Sequence, residues 1–321
     1  MKILVAGGAG YVGSVLVPRL LERDYQVDVV DLLWFGNHLP PEVKIIKRDI
    51  LTLEQDDLAG YDQVVFLGGL SNDPMAEYSP AQNFTGNAAT PAYLAYISKK
   101  AGIKRFIFGS SCSVYGYSVR ELCDENSLAA SSYPYGISKL QGEFACLSLQ
   151  DDTFSTICLR KGTISGYSPR MRLDLVVNTM FKNAVTEKTI NINNASIWRP
   201  ILDIRDAASA YIRAIDADYH LSGIFNVASA NYTIGEIADY VREDVKELLG
   251  MDAKLNIKFL EDFRNYKVSM EKARNILSFN PRYNVKDIVR NLVENMDKFK
   301  DMDSPKYYNI KIFKMLDEAK K

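Results

Sequence analysis

Tyr135 and Lys139 stand four residues apart in Tyr135-Gly136-Ile137-Ser138-Lys139, a spacing that puts a phenol and an ammonium on one face of a helix. A phenol with an ordinary pKa near ~10 is a poor base at neutral pH, and a neighbouring cation favours its phenolate and draws it toward working range. Lys139 is therefore read as tuning Tyr135. The stretch Phe108-Gly109-Ser110-Ser111-Cys112-Ser113-Val114-Tyr115-Gly116 lies upstream, where a strand delivers the Ser111 hydroxyl to the carboxyl edge of a sheet, the edge at which doubly wound sheets bind ligands. Tyr135 with Lys139 can exchange a proton with a ligand held at that edge.

A second constellation opens the chain. Gly7-Gly8-Ala9-Gly10-Tyr11-Val12-Gly13 follows a strand and leads into an apolar helix beginning near Tyr11. A turn this tight needs positive φ and backbone unhindered by Cβ atoms, so that a pyrophosphate can sit on the amides at the helix N-terminus. Gly7, Gly10 and Gly13 are spaced G-x-x-G-x-x-G, wider than the standard dinucleotide fingerprint. Asp31 closes the second strand, where a carboxylate accepts both ribose hydroxyls and repels a 2′-phosphate. No basic residue follows in Leu32-Leu33-Trp34-Phe35, so NAD is favoured over NADP. Asp49-Ile50 either lines the adenine or is an ordinary strand end.

The elements that position these residues alternate. Lys2–Ala6, Gln26–Val30, Val43–Lys47, Gln63–Leu67, Arg105–Phe108 and Thr156–Leu159 read as buried strands with helical patterns between them, the signature of a parallel sheet covered on both faces. Asn83–Ala101 and Pro134–Leu149 are the clearest helices. Beyond residue 163 the regularity falls, with helices expected at Asp174–Thr186, Ile234–Leu249 and Val285–Asp297. The fold expected is α/β, a doubly wound Rossmann sheet with a smaller mixed α/β substrate-binding domain. Residues 1–162 form the NAD-binding domain, receiving a strand and helix from about 197–226, and 163–321 form mainly the substrate domain. No Pro/Gly-rich linker separates the halves. The tail from Lys298 onward, rich in Lys and Asp, reads as loosely held.

Composition narrows the partners. Thirty-nine basic residues against 40 acidic ones leave a net charge of −1, so no global field favours nucleic acid or an anionic membrane, and an anionic ligand must be held by local geometry. No apolar run approaches the ~18 residues of a membrane span. Four cysteines without C-x-x-C spacing and two histidines argue against a metal site. With no secretory leader pattern at Met1-Lys2-Ile3-Leu4-Val5, the expected location is cytoplasmic, with reduced thiols.

With the glycine turn, Ser111 and the Tyr135/Lys139 pair in this order, the sequence resembles the extended short-chain dehydrogenase/reductase family, in particular its NAD-dependent nucleotide-sugar epimerases and dehydratases. The resemblance covers nearly the whole chain. It implies that Ser111 hydrogen-bonds the reacting sugar oxygen, that Tyr135 exchanges its proton, and that Lys139 holds the nicotinamide ribose. It places the family's helix asparagine on Asn87 and the loop beneath the cofactor on Leu67-Gly68-Gly69. It implies a homodimer or higher homo-oligomer, paired through the apolar faces of Asn83–Ala101 and Pro134–Leu149. Relatives that dehydrate the sugar carry Asp-Glu where this chain has Cys112 and Ser113, which disfavours a dehydratase; Cys112 reads as a small packed residue. Thr163 stands where the family commonly has Asn.

A nucleotide-diphosphate sugar needs a diphosphate clamp, and an arginine fork suits it. Arg199 and Arg264 resemble the family's phosphate arginines. Arg170 and Arg172 touch phosphate or sugar, or are solvated surface residues. With Ser71, Ser111, Ser113 and Thr163 these are the candidate substrate contacts. The reaction expected is oxidation of a ring hydroxyl, most often at C4 in the family, leading either to 4-epimerisation or to release of the keto sugar by a 4-dehydrogenase. A non-catalytic NAD-binding regulator is the rival from another class, and the intact Ser/Tyr/Lys set argues against it.

Overall fold

The computed structural model describes residues 1–259 and 265–319, and the backbone alone of residues 117 and 119–121. In chain order its strands are β1 (Lys2–Ala6), β2 (Gln26–Val30), β3 (Lys44–Ile46), β4 (Gln63–Phe66), β5 (Arg105–Ser111), β6 (Tyr117–Cys123), β7 (Ser155–Lys161), β8 (Thr163–Ser165), β9 (Thr189–Asn193), β10 (Trp198–Asp203), β11 (Gly223–Val227), β12 (Ala230–Thr233), β13 (Lys254–Lys258) and β14 (Asn265–Val268). The helices are α1 (Gly13–Leu21), α2 (Asp73–Tyr78), α3 (Pro80–Phe84), α4 (Thr90–Lys100), α5 (Pro134–Leu147), α6 (Val176–Glu187), α7 (Ile204–Asp216), α8 (Ile234–Leu249), α9 (Glu271–Leu277), α10 (Val285–Glu294) and α11 (Asn309–Glu318).

Seven of the strands form one parallel sheet in the order β3-β2-β1-β4-β5-β7-β11, a Rossmann α/β arrangement. The β-branched and aromatic runs expected as buried strands lie at its centre, with Ile3, Val5, Val65 and Ile107 facing α1 and α7 on one side. Leu4, Val64, Phe106 and Phe108 face α4 and α5 on the other. Strand order reverses between β1 and β4, so the connections there diverge to opposite faces and leave a crevice at the carboxyl edge. β5 and β7 run further than the apolar pattern indicates, because Gly109, Ser110 and Ser111 continue the pairing with Leu159, Arg160 and Lys161. Polar residues at these strand ends hid the extension, which sets Ser111 and Lys161 side by side.

The helix expected over Asn83–Ala101 is continuous in direction but not in hydrogen bonding. α3 ends at Phe84, a π-turn covers Thr85–Ala89, and α4 follows. Pro91 has no N–H to complete an α-turn here, and the Thr90 hydroxyl donates to the Thr85 carbonyl at 2.9 Å in compensation.

The second half packs α6, α8 and α10 around Ile190, Ile201, Ile237 and Leu292. The tail is a correction. Phe299, Met302 and Tyr307 belong to this same core, and α11 seats Phe313 against Leu70 and Met75, with Trp34 at 5.8 Å. Its lysines and aspartates face outward while a sparse apolar stripe faces in, so average composition concealed an amphipathic helix.

Candidate functional site

A cleft of about 1090 Å³ follows the carboxyl edge of the sheet from the glycine turn and Asp31, past Ser111 and Tyr135, to Arg199 and Tyr266. Of the catalytic, cofactor and substrate candidates among the described residues, all but Gly13 and Asn87 line it.

At one end, Gly7 has φ +78° and an added Cβ would lie 2.5 Å from the Gly68 nitrogen, so the turn and the loop after β4 touch backbone to backbone. Gly10, Tyr11 and Val12 face the opening, and Leu67, Gly68 and Gly69 form its far wall. Asp31 ends β2 with one carboxylate oxygen accepting from the Ala9 amide at 3.0 Å and the other from the Leu33 amide at 2.8 Å. Burial pushes its pKa up despite those bonds. Asp49 caps the short 3₁₀ turn Ile50–Thr52 by accepting from the Leu51 amide, and both Asp49 and Ile50 reach the cleft.

Two residues expected at the cofactor stand behind the wall instead. A Cβ on Gly13 would lie 2.0 Å from the Gly8 carbonyl, so this glycine serves the close packing of α1 on the turn. Asn87 is fully buried and donates to the Leu70 carbonyl at 2.9 Å and to Asn83 at 2.7 Å, with its carbonyl oxygen pressed toward Gly69. It shapes the loop rather than the opening, because the π-turn rotates it inward.

The groups at this end fit an elongated dinucleotide. A glycine turn opens a helix, a carboxylate follows β2, and the buried Nε and Nη1 of Arg170 and Nη2 of Arg172 have no protein acceptor. Arg170 is a surprise of placement. Its guanidinium lies 3.6 Å from the Phe35 ring centre, Nη2 donates to Asn309, and its charge is felt at Asp31. Burial, then Arg172, lowers it to about 9. A basic residue therefore does approach Asp31, from a part of the chain far from β2. Asp31→Asn would remove the charge opposing a 2′-phosphate and leave Arg170 in place. The ratio of NADP to NAD affinity is expected to rise roughly tenfold or more. Titration calorimetry with both cofactors checks this, and an unchanged ratio would mean that Asp31 does not face the ribose.

At the centre, Ser111 and Tyr135 both face the opening, and Ser111 lies near enough to the Tyr135 phenol to favour its ionised form. Ser111 Oγ lies 3.1 Å from Ser113 Oγ, which is 3.4 Å from the Tyr266 hydroxyl, so a row of hydroxyls runs from beside Tyr135 to the buried Tyr266 phenol. Lys139 stretches under the ring of Tyr135, its Nζ 6.0 Å from the ring centre and donating to the Gly109 carbonyl at 3.1 Å. The tuning expected of Lys139 is not delivered by the protein alone. Burial, then the charge of Asp73, pushes the phenol up, and Ser111 and Arg172 oppose this. Burial likewise holds Lys139 well below an ordinary lysine, with Lys161 adding repulsion. Cys112 is packed away from the cleft with its thiol donating to the Arg160 carbonyl.

At the far end, Ser71 accepts from Asn309 at 2.6 Å, Thr163 lies on β8, and Arg172 pairs with Asp174 at 2.8 Å. Arg199 lies with its guanidinium 5.8 Å from the Tyr266 ring. Arg264 lies outside the described residues. Tyr167 stacks on Phe299 in the second core, whereas Tyr266 lines the cleft. Lys161, Asn309 and Ile310 also line it and were not anticipated; no local motif marks the latter two, which arrive on α11. Among the described residues no group of His, Cys, Asp and Glu is placed to hold a metal ion, and no helix is long and apolar enough to cross a membrane.

The chain is 28% identical over 335 aligned residues to UDP-glucose 4-epimerase 3 of Oryza sativa subsp. japonica, covering 90% of this chain and 88% of that protein. It is 23% identical to UDP-glucuronic acid decarboxylase 1 of Arabidopsis thaliana, over 89% of this chain and 68% of that one. The structure of UDP-glucose 4-epimerase from Thermotoga maritima with UDP-glucose superposes with a TM-score of 0.82 at 23% identity, covering 93% of this chain and 99% of that chain. Residues 3–228 match the model of the NAD dependent epimerase/dehydratase family, and the chain belongs to that family, with NAD as its cofactor.

Proposed function

We propose that this enzyme binds a UDP-sugar and interconverts the configuration at C4, with the sugar and the reactive ring of the cofactor meeting at Ser111 and Tyr135. The observation that carries the reading is the gathering of Ser111, Tyr135 and Lys139 on one cleft of about 1090 Å³ that also takes in the glycine turn and Arg199. The similarity to UDP-sugar 4-epimerases supports C4 and the uridine nucleotide. NAD, when bound, supplies a reversible hydride acceptor. Ser111 orients the sugar hydroxyl and Tyr135 takes and returns its proton. Lys139, fixed by the Gly109 carbonyl, holds the cofactor ribose and places a cation behind the phenol. Residues 1–162 with about 197–226 form the cofactor half in this reading, and the remainder forms the substrate half. Incubation with UDP-, GDP-, dTDP- and CDP-sugars followed by product analysis tests it. A C4 epimer of a UDP-sugar supports the proposal; stoichiometric NADH with a released keto sugar would make the enzyme a dehydrogenase.

Arg199 is proposed to hold the diphosphate. Arg199→Ala is expected to weaken substrate binding by roughly 1.5–3 kcal/mol, the value of a charged hydrogen bond, while NAD affinity stays unchanged. An unaltered KM would place the clamp elsewhere. The chain is further proposed to be a homodimer paired through α3–α4 and α5. Phe84 (50% exposed), Tyr96 (50%) and Phe144 (62%) present a large apolar area on these helices. Sedimentation at micromolar concentration is expected to give a dimer, and Phe144→Glu a monomer.

A further inference from the structure

Lys161 is a half-buried lysine on the wall of the cleft that the chemistry above does not use. It ends β7 directly beside Ser111, and its Nζ donates to the Tyr211 hydroxyl at 3.0 Å. A Cβ on Gly109 would lie 2.9 Å from this Nζ and 2.6 Å from the Tyr211 oxygen, so the glycine makes room for both. Gly109 is also the residue whose carbonyl holds Lys139. Two ammonium groups thus approach one residue of β5 from α5 and from β7, at the point where the cleft is floored by Ser110 and Ser111.

The groups facing Lys161 offer no compensating charge. Tyr211 on α7 is a neutral phenol that burial pushes up, and Cys112 beyond β5 is a neutral thiol pushed up likewise. Lys139 on α5 is a like charge. The nearby carboxylate of Glu143 is already paired with Arg160. No carboxylate forms an ion pair with Lys161 among the described residues. A partly desolvated cation on the cleft wall with no ion-pair partner is costly unless a ligand or a second state makes use of it.

The cofactor has two such states. Its reactive ring carries a positive charge when oxidised and none when reduced, so a nearby cation stabilises NADH relative to NAD⁺. We propose that Lys161 is a cofactor-balancing residue, protonated beside NADH and neutral beside NAD⁺, which sets how strongly the site favours the reduced form. The inference rests on the placement of the reactive ring at Ser111 and Tyr135. The balance of atoms is closed. Oxidation of an alcohol breaks its C–H bond, the electron pair and hydrogen pass to NAD⁺, and the hydroxyl releases one proton. That proton goes to Tyr135; Lys161 takes a separate proton from solvent as the charge of the ring disappears and returns it when the ring is oxidised again. Burial lowers this lysine to about 8, so the change of state falls within reach of ordinary buffers.

The test is the ratio of NAD⁺ to NADH dissociation constants, read by displacing NADH fluorescence with NAD⁺ at about pH 6.5 and about pH 9.5. At the lower pH, Lys161→Met is expected to shift the ratio toward NAD⁺ by roughly tenfold or more, the size of a charge–charge repulsion across several ångström of protein. Lys161→Arg, charged throughout, is expected to keep the wild-type ratio at the lower pH. At the higher pH the wild type is expected to approach the Met variant, while the Arg variant does not move. A wild-type ratio in Lys161→Met at the lower pH overturns the inference. Lys139→Met separates the two levels: if it alone moves the ratio, only the role of Lys161 fails, and if neither variant moves it, the ring is not at this site.

Discussion

Tyr135→Phe is expected to leave an enzyme that folds and binds NAD but turns over at least about a hundredfold more slowly, because general acid–base transfer contributes ~10²–10⁴-fold. The substitution keeps the ring and removes only the hydroxyl. No histidine lines the cleft to take its place. The pH profile carries the sharper information. Burial pushes the Tyr135 phenol above its ordinary value, so its basic form becomes more populated as pH rises. The wild-type kcat should climb with pH on the acid side, and the residual rate of the Phe variant should lose that slope. Near-full turnover in Tyr135→Phe would leave the fold assignment intact and remove the mechanism.

The second large effect is on stability. Arg160 and Glu143 are almost wholly buried between β7 and α5, with side chains 3% and 0% exposed. Arg160 donates to both Glu143 oxygens at 2.7–3.1 Å and to the Tyr115 hydroxyl at 2.9 Å, while Ser110 donates to the same carboxylate. Removing one partner strands the other charge in the interior. Arg160→Met is therefore expected to destabilise the protein by about 3–5 kcal/mol, and the double variant Arg160→Met/Glu143→Leu to recover most of the loss. Denaturant unfolding of the three proteins measures this. A loss below about 1 kcal/mol in the single variant would mean that water reaches the vacated site.

What could be read in the sequence was what local spacing determines. The phenol and the ammonium four residues apart on α5, the glycines between β1 and α1, and the serine leaving β5 all depend on short stretches whose geometry their own residue types dictate. Lys161 lay inside a quoted stretch, yet nothing local announced that it would sit beside Ser111, because that depends on the register of two strands far apart in the chain. The same holds for Arg170. It reads as a loop arginine of the second half, and only tertiary packing carries it to Phe35 and Asp31. Asn87 failed the other way: its position along the helix was right, and a π-turn that no hydrophobic period reveals turned it from the cleft to the loop behind.

Tyr11 is fastened to the other half of the molecule. Its phenol donates to the Gly166 carbonyl at 2.5 Å and accepts from Asn178 at 3.2 Å, and its own carbonyl accepts from Ser168 at 2.8 Å. The glycine turn and the junction after β8 are thus joined directly by hydrogen bonds. Any displacement that a ligand imposes on one is an energetic term for the other, and linkage makes that term reciprocal. Whatever factor a second ligand in the cleft applies to NAD affinity, NAD occupancy must apply to the affinity of that ligand. The three bonds at Tyr11 are a physical route by which that shared factor departs from one.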